Sequence, residues 1–163
     1  MMDLSKSIKL SEYFQNGTKE DKELQQQIYI NTELSSEVKE TVKKIILKTS
    51  LIAFSENFCP DCRITMSVLK RMQELNSNLE VYVFPRVGNE EIMKNLTGDA
   101  RIPTIIKYTS EEEFNLMYLE MPSVVKAEMS ILDKDGSRKV LGKYRAGQYN
   151  KFIEQELLQI IEQ

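Results

Sequence analysis

The sequence contains no histidine, and it contains only two cysteines among its 163 residues. Without histidine, the chain has neither a His-ligated metal site nor a Ser-His or Cys-His catalytic pair. Two cysteines alone do not close a four-ligand zinc site, and they are too few for the disulfide framework of small secreted domains. We therefore expect no metal and no organic cofactor.

The chain also lacks an excess of positive charge and any long apolar run. Its net charge of -3 gives no support to nucleic-acid binding, which usually shows a basic patch. No apolar stretch approaches the length of a membrane span, and residues 1–14 contain no apolar segment of the signal-peptide type. With 41% hydrophobic and 29% charged residues, the sequence predicts a soluble globular protein, which we expect to be cytoplasmic and monomeric.

Both cysteines lie in one short motif, Phe58-Cys59-Pro60-Asp61-Cys62. The apolar run before it, residues 50–55, predicts a buried strand. Met66, Leu69 and Met72 recur at helical spacing after it and predict a helix. A C-x-x-C motif between a strand and a helix is typical of a redox site, and the alternative is a pair of free buried thiols.

The spacing of the cysteines indicates separate roles for them. Residues three apart on a helix have Cβ atoms about 5–6 Å apart, whereas a disulfide needs roughly 3.5–4.5 Å. Cys59 is therefore expected at the N-cap of the helix, with Pro60 at the first helical position. The helix dipole then lowers the pKa of Cys59. We expect Cys59 to be the attacking nucleophile and Cys62, one turn inside, to be the shielded resolving thiol.

The sequence divides near residue 48 into an N-terminal helical extension, residues 1–48, and an α/β domain, residues 49–163. The extension shows three apolar helical patterns, within residues 4–14, within 19–30 and after Ser35-Ser36, and no convincing strand. The α/β domain alternates strands and helices. Its later strands are predicted at 79–84, 103–108, 124–132 and 139–145, with a hairpin turn at 133–136 and a C-terminal helix from about Tyr149.

Residues 110–123 form a predicted insertion between two of these strands. Ser110 and Glu113 fit a capping box. Met117, Tyr118 and Met121 then continue an apolar stripe, which predicts an amphipathic helix that stops at Pro122. The alternation of residues 114, 116 and 118 favours a strand instead.

The order strand, C-x-x-C and helix, followed by Arg101-Ile102-Pro103-Thr104 at the start of a later strand, resembles thioredoxin. The chain is most similar to a thioredoxin-like subgroup with an N-terminal helical extension, a W-C-x-D-C site and an I-P-T turn. Phe58 occupies the position of the tryptophan, and Asp61 matches the aspartate. The resemblance implies a thioredoxin fold, with a central mixed sheet flanked by helices, and a cis peptide bond between Ile102 and Pro103.

The resemblance also implies a cytoplasmic thiol-disulfide oxidoreductase. Its dithiol would reduce a disulfide-containing protein substrate, and an upstream reductant would restore it. The implied substrate-binding residues are Phe58, Pro60, Asp61, Ile102 and Pro103. The alternative is a thioredoxin-fold binding or redox-sensing module without turnover. Whether the dithiol would act as a reductant, or as an oxidant or isomerase, depends on its reduction potential.

One departure from the family concerns proton transfer. Thioredoxins carry a buried aspartate in the strand before the cysteines, and this chain has Ala53 there. Glu56 and Asp61 are the nearest carboxylates that could replace it. Asp61 is expected either to raise the pKa of Cys59 or only to complement the helix dipole, and Arg63 is expected to be a solvated charge.

Overall fold

The structure, a computed structural model, describes residues 2–109 and 116–163. Five strands form one sheet: β1 (Ile8–Lys9), β2 (Thr49–Phe54), β3 (Leu79–Phe84), β4 (Thr104–Lys107) and β5 (Met117–Leu119). A 3₁₀ turn, Leu4–Lys6, precedes β1, and the helices are α1 (Leu10–Tyr13), α2 (Lys19–Ile30), α3 (Ser36–Lys43), α4 (Pro60–Leu75), α5 (Glu90–Thr97), α6 (Ser123–Ser130), α7 (Lys134–Arg145) and α8 (Asn150–Glu162). No helix within the described ranges is both long enough and apolar enough to cross a lipid bilayer.

The sheet is mixed and has the strand order β1-β3-β2-β4-β5. The central strand β2 runs parallel to β3, with Leu51 opposite Val81, and antiparallel to β4, with Ala53 opposite Ile105. Strands that are buried on both faces contain continuous apolar runs, as β2 does at residues 51–54. The predicted α/β class, with a central mixed sheet flanked by helices as in thioredoxin, is confirmed.

Alternate residues of β2 enter two separate cores. Leu51 and Ala53 belong to the larger core, which packs the sheet against α3, α4, α7 and α8. Ile52 and Phe54 point to the opposite face, where Met93 of α5 completes a smaller core. Because both faces of the sheet are covered, β2 is buried up to its carboxyl end, and the cysteine motif begins a few residues after it.

The N-terminal region contributes a strand that the sequence did not predict. Ile8 and Lys9 form β1, which pairs antiparallel with Val83 and Tyr82 at the edge of the sheet. A two-residue strand is too short to show an alternating pattern in the sequence. It forms because its backbone pairs with the edge of β3. The expected first helix is consequently reduced to the 3₁₀ turn and the short α1.

The two strands predicted at 124–132 and 139–145 are wrong, because both regions are helical, as α6 and α7. The predicted hairpin turn at 133–136 is wrong as well. Asp133 is the N-cap of α7, and its side chain accepts a hydrogen bond of 2.7 Å from the Gly136 backbone N–H. Helix caps and turns use the same residue types, so the local sequence Asp133-Lys134-Asp135-Gly136 is compatible with either. Burial of Val140 and Tyr144, four residues apart, shows the helical period.

The predicted helix in the 110–123 insertion is wrong where the structure describes it, because Met117–Leu119 forms strand β5, antiparallel to β4. The alternative strand prediction is confirmed for these residues. The capping-box residues Ser110 and Glu113 lie outside the described residues. Pro122 precedes α6 as its N-cap and does not end a helix.

Helix α8 stabilises the start of another helix with a buried carboxylate. Ser35 is the N-cap of α3, the helix that the sequence predicts after Ser35-Ser36, but its side chain makes no hydrogen bond to this helix. Instead, its backbone N–H and its hydroxyl donate to Glu154, at 3.1 and 2.8 Å. Glu154 is only 2% exposed, so this interaction ties α3 to the C-terminal helix inside the protein.

We expect Glu154→Ala to lower the free energy of unfolding by about 2 kcal/mol, because it leaves buried donors without their charged acceptor. Glu162→Ala, at an exposed position of the same helix, should change it by no more than about 0.5 kcal/mol. Urea unfolding of both variants measures the difference. Equal effects of the two substitutions would show that the Ser35 contact contributes nothing.

Candidate functional site

Cys59 is the N-cap residue of α4, the position that the spacing predicts. Its backbone is extended, with φ -83° and ψ 118°, and Pro60 opens the helix. The Cys62 backbone N–H, one turn into α4, donates to the Cys59 sulfur at 3.3 Å. Both cysteines are free thiols, with Cys59 partly exposed and Cys62 fully buried.

The two thiols have pKa values that are shifted in opposite directions. A hydrogen bond from the Cys62 side chain is the main cause that lowers the pKa of Cys59, and the Cys62 backbone N–H adds to it. Partial burial and the Asp61 charge oppose this, and the resulting pKa of Cys59 is about 7. Burial raises the pKa of Cys62 well above its usual range. At neutral pH a large share of Cys59 is therefore a reactive thiolate, while Cys62 stays protonated.

A cleft of about 530 Å³ opens in front of Cys59. Four of the predicted substrate-binding residues line it: Phe58, Pro60, Asp61 and Ile102. Phe58 is 62% exposed at the rim. The rest of the wall is Arg86, Lys94, Asp99, Ala100, Arg101, Glu120 and Arg145.

The Ile102–Pro103 peptide bond is cis, which confirms the expectation from the resemblance. Pro103 itself is buried, and its carbonyl accepts a hydrogen bond of 2.7 Å from the Glu120 backbone N–H. Ile102, in contrast, lines the cleft. Within the part of the chain that the structure describes, the Ile102 backbone N–H and C=O have no hydrogen-bond partner.

Asp61 forms an ion pair that the sequence did not predict. The Arg145 side chain, at the end of α7, donates from Nε to Oδ1 at 2.8 Å and from Nη2 to Oδ2 at 3.3 Å. The hydrogen bond to Asp61 raises the pKa of Arg145, and charge on Cys59 acts in the same direction. The helical period of α7 could have placed Arg145 in its last turn, but the contact with Asp61 depends on how α7 packs against α4.

Arg63 is not the solvated charge that was expected. It is 8% exposed, and its Nη2 donates to Asp21 of α2 at 2.8 Å. Its Nε donates to the Asn57 carbonyl at 3.1 Å. Arg63 therefore joins the N-terminal region to the start of α4 and does not offset the charge of Asp61.

Glu56 and Asp61, the two carboxylates expected to serve the buried thiol, both have other partners. Glu56 accepts a hydrogen bond from the Val87 backbone N–H at 3.0 Å, and Asp61 is paired with Arg145. Among the described residues, no carboxylate hydrogen-bonds to Cys62. The same residues contain no group of three or more Cys, Asp and Glu side chains arranged to hold a metal ion.

We expect alkylation of the reduced protein to occur first at Cys59, with a rate that rises with pH through a midpoint of about 7. The sign follows from the chemistry, because the thiolate attacks and its fraction grows as pH passes the pKa of Cys59. Mass spectrometry of the modified peptide, sampled over a pH series, measures both. First modification at Cys62 would reverse the assignment.

We further expect Asp61→Asn and Arg145→Gln to move the pKa of Cys59 in opposite directions. Removing the Asp61 charge also frees the Arg145 cation, so the alkylation midpoint should fall by up to about one pH unit and the reduction potential should become less negative. Removing the Arg145 cation should raise the midpoint. Asp99→Asn, across the cleft and paired with Arg101, is the matched control and should leave it in place. An unchanged midpoint in Asp61→Asn would show that this carboxylate acts only on the helix.

Comparison with known proteins shows the family and the fold. No curated protein matches the sequence significantly. Two solved structures share the fold with a TM-score of 0.80 each, and both alignments cover 98% of this chain and 94% of the other. They are a protein of unknown function from Pseudomonas aeruginosa, 21% identical, and an HIV epitope scaffold, 18% identical. The family model described as Thioredoxin matches residues 7–140, and the chain therefore belongs to the thioredoxin-like family.

Proposed function

We propose that this chain is a cytoplasmic thiol-disulfide oxidoreductase that reduces the disulfides of protein substrates through Cys59 and Cys62. The observation that carries the proposal is the asymmetry of the pair. One sulfur is at the mouth of the cleft with a pKa of about 7, and the other is fully buried with a raised pKa. This division provides a nucleophile and a resolving thiol three residues apart.

The reaction needs no further redox group. The Cys59 thiolate attacks one sulfur of the substrate disulfide, a Cys59–substrate bond forms, and the first substrate sulfur leaves as a thiolate that takes a proton from water. Cys62 then loses its proton and attacks Cys59, and the second substrate sulfur leaves and takes up a proton. The substrate gains two electrons, and Cys59 and Cys62 become a disulfide, which an upstream dithiol reductant converts back.

The cleft supports binding of an extended peptide. The backbone N–H and C=O of Ile102, which have no partner among the described residues, offer one donor and one acceptor in the cleft beside Cys59. Phe58 offers exposed apolar surface at the same cleft. We assign Phe58, Pro60, Asp61 and Ile102 to substrate binding, with Pro103 as the residue that turns the backbone of Ile102 towards the cleft.

The pKa of Cys59 favours reduction over oxidation. Strongly oxidising dithiols have a nucleophile with a pKa of about 3.5, because a very stable thiolate makes the reduced form persist. A pKa of about 7 leaves the Cys59 thiolate less stabilised and the dithiol more reducing. The paired Asp61 charge contributes to this balance, since it opposes the lowering of the pKa.

We expect Cys59→Ser to abolish reduction of a protein disulfide such as that of insulin. In the Cys62→Ser variant, Cys59 should still attack the substrate disulfide. The variant should then accumulate as a mixed disulfide with the substrate, because the resolving thiol is missing. Non-reducing electrophoresis and mass spectrometry of the trapped adduct, with the wild-type protein under a dithiol reductant as reference, measure both outcomes.

The same assay separates this function from a binding or redox-sensing module. A sensor would oxidise once and would not turn over in the presence of excess reductant. Multiple turnovers per protein, with a reduction potential below that of the glutathione pool, would support the reductase. A single oxidation event without turnover would contradict it.

A further inference from the structure

Two buried hydroxyl groups lie on the inner side of the redox pair. Tyr13, the last residue of α1, and Ser55, directly after β2, share a hydrogen bond of 2.8 Å between their side-chain oxygens. Each residue is 2% exposed. The bond joins positions 42 residues apart, so the N-terminal region brings a phenol to the strand that leads into the cysteine motif.

Both hydroxyls belong to the surroundings of Cys62. Burial raises the pKa of Cys62, and a hydrogen bond with the Ser55 side chain acts against that rise. Burial raises the pKa of Tyr13, and charge on Cys62 and then on Cys59 would raise it further. The phenol therefore stays protonated and remains a hydrogen-bond donor over the whole working range of pH.

Within residues 2–109 and 116–163, none of the titratable side chains that face Cys62 from the packed elements is a carboxylate. They are Cys59 at the cap of α4, Tyr13 from α1 and Tyr144 from α7. Glu56 contributes only a backbone hydrogen bond to Cys62, while its carboxylate accepts from Val87. The resolving thiol must nevertheless become a thiolate in an environment that disfavours the charge.

Resting on the function proposed above, we propose that Tyr13 and Ser55 form a donor pair that stabilises the Cys62 thiolate during the resolving step. Tyr13 donates to the Ser55 oxygen, which leaves the Ser55 hydrogen free for the Cys62 sulfur. When Cys62 attacks the mixed disulfide, the Cys62–Cys59 bond forms and the Cys59–substrate bond breaks. The proton that Cys62 loses ends on the departing substrate thiolate, and the two hydroxyls keep their own protons.

This arrangement stabilises a buried anion without a second charge. Chained hydroxyls polarise one another, so the Ser55 donor is stronger when its oxygen accepts from Tyr13. The two hydroxyls are neutral donors, so they stabilise the sulfur anion without adding a charge to the buried site. Ser55 acts directly on the sulfur, and Tyr13 is a positioning residue that acts through Ser55.

A stopped-flow reaction with an aromatic disulfide that releases a coloured thiol tests the proposal. In the wild-type protein the first release reports attack by Cys59 and the second reports resolution by Cys62. Ser55→Ala should slow the second phase about tenfold, and Tyr13→Phe about threefold, because each removes a hydrogen bond that supports an anion. The pH midpoint of the second phase should rise in both variants, and the first phase should keep its rate and pH profile.

Three further variants are the controls. Tyr29→Phe removes another tyrosine hydroxyl of the N-terminal region, one that bonds to Glu74, and should leave both phases unchanged. Ser55→Thr retains the hydroxyl and should restore the second phase relative to Ser55→Ala. Glu56→Gln tests the carboxylate alternative and should also leave both phases unchanged.

The proposal is overturned if Tyr13→Phe leaves the rate and the pH midpoint of the second phase at wild-type values. Because this change keeps the shape of the ring, it tests the pair even if Ser55→Ala does not fold. It is also overturned if Glu56→Gln slows that phase while Tyr13→Phe does not. Absence of any second phase in the wild-type protein would instead contradict the proposed oxidoreductase itself.

Discussion

The burial of α4 on nearly all sides is the constraint on which the site depends. Residues 61–69 of this helix are all buried, including charged and polar side chains. Such a helix must find partners for its polar groups within the protein. Arg63 is paired with Asp21, and Gln25 donates to the Arg63 carbonyl and to the Ser67 hydroxyl. The N-terminal helices thus provide polar partners for α4 as well as covering it.

The same constraint explains why the site draws on distant parts of the chain. Asp61 is buried at the start of α4 and carries a charge, so it requires the guanidinium that α7 provides. Cys62 lies one turn further in, near Ser55, whose hydroxyl is hydrogen-bonded to Tyr13 of α1. Cys59 is partly exposed at the start of the helix, in the cleft that Phe58 and Ile102 also line. Orientation of the dithiol is therefore a property of the packed core and not of the loop alone.

The sequence predicts what short-range chemistry determines. The N-cap position of Cys59, the strands 79–84 and 103–108 in outline, and the cis bond before Pro103 follow from spacing, alternation and the family motif. The regions 124–132 and 139–145 are helical and not strands as predicted. Their β-branched residues favour strands locally, and the Asp-x-x-Gly sequence between them suits a turn as well as a helix cap. The Arg145 and Tyr13 contacts could not be predicted, since each joins residues that only the packing of α7 or α1 brings together.

The exposed Phe58 has an optical consequence. The protein contains no tryptophan, so its intrinsic fluorescence comes from tyrosine alone. Phe58 is 62% exposed and contributes to neither core, so a larger ring fits at this position without repacking the interior. Phe58→Trp would place a single indole beside the sulfur pair, where an adjacent disulfide quenches emission and a dithiol does not. The fluorescence intensity of this tryptophan would then report the oxidation state of Cys59 and Cys62.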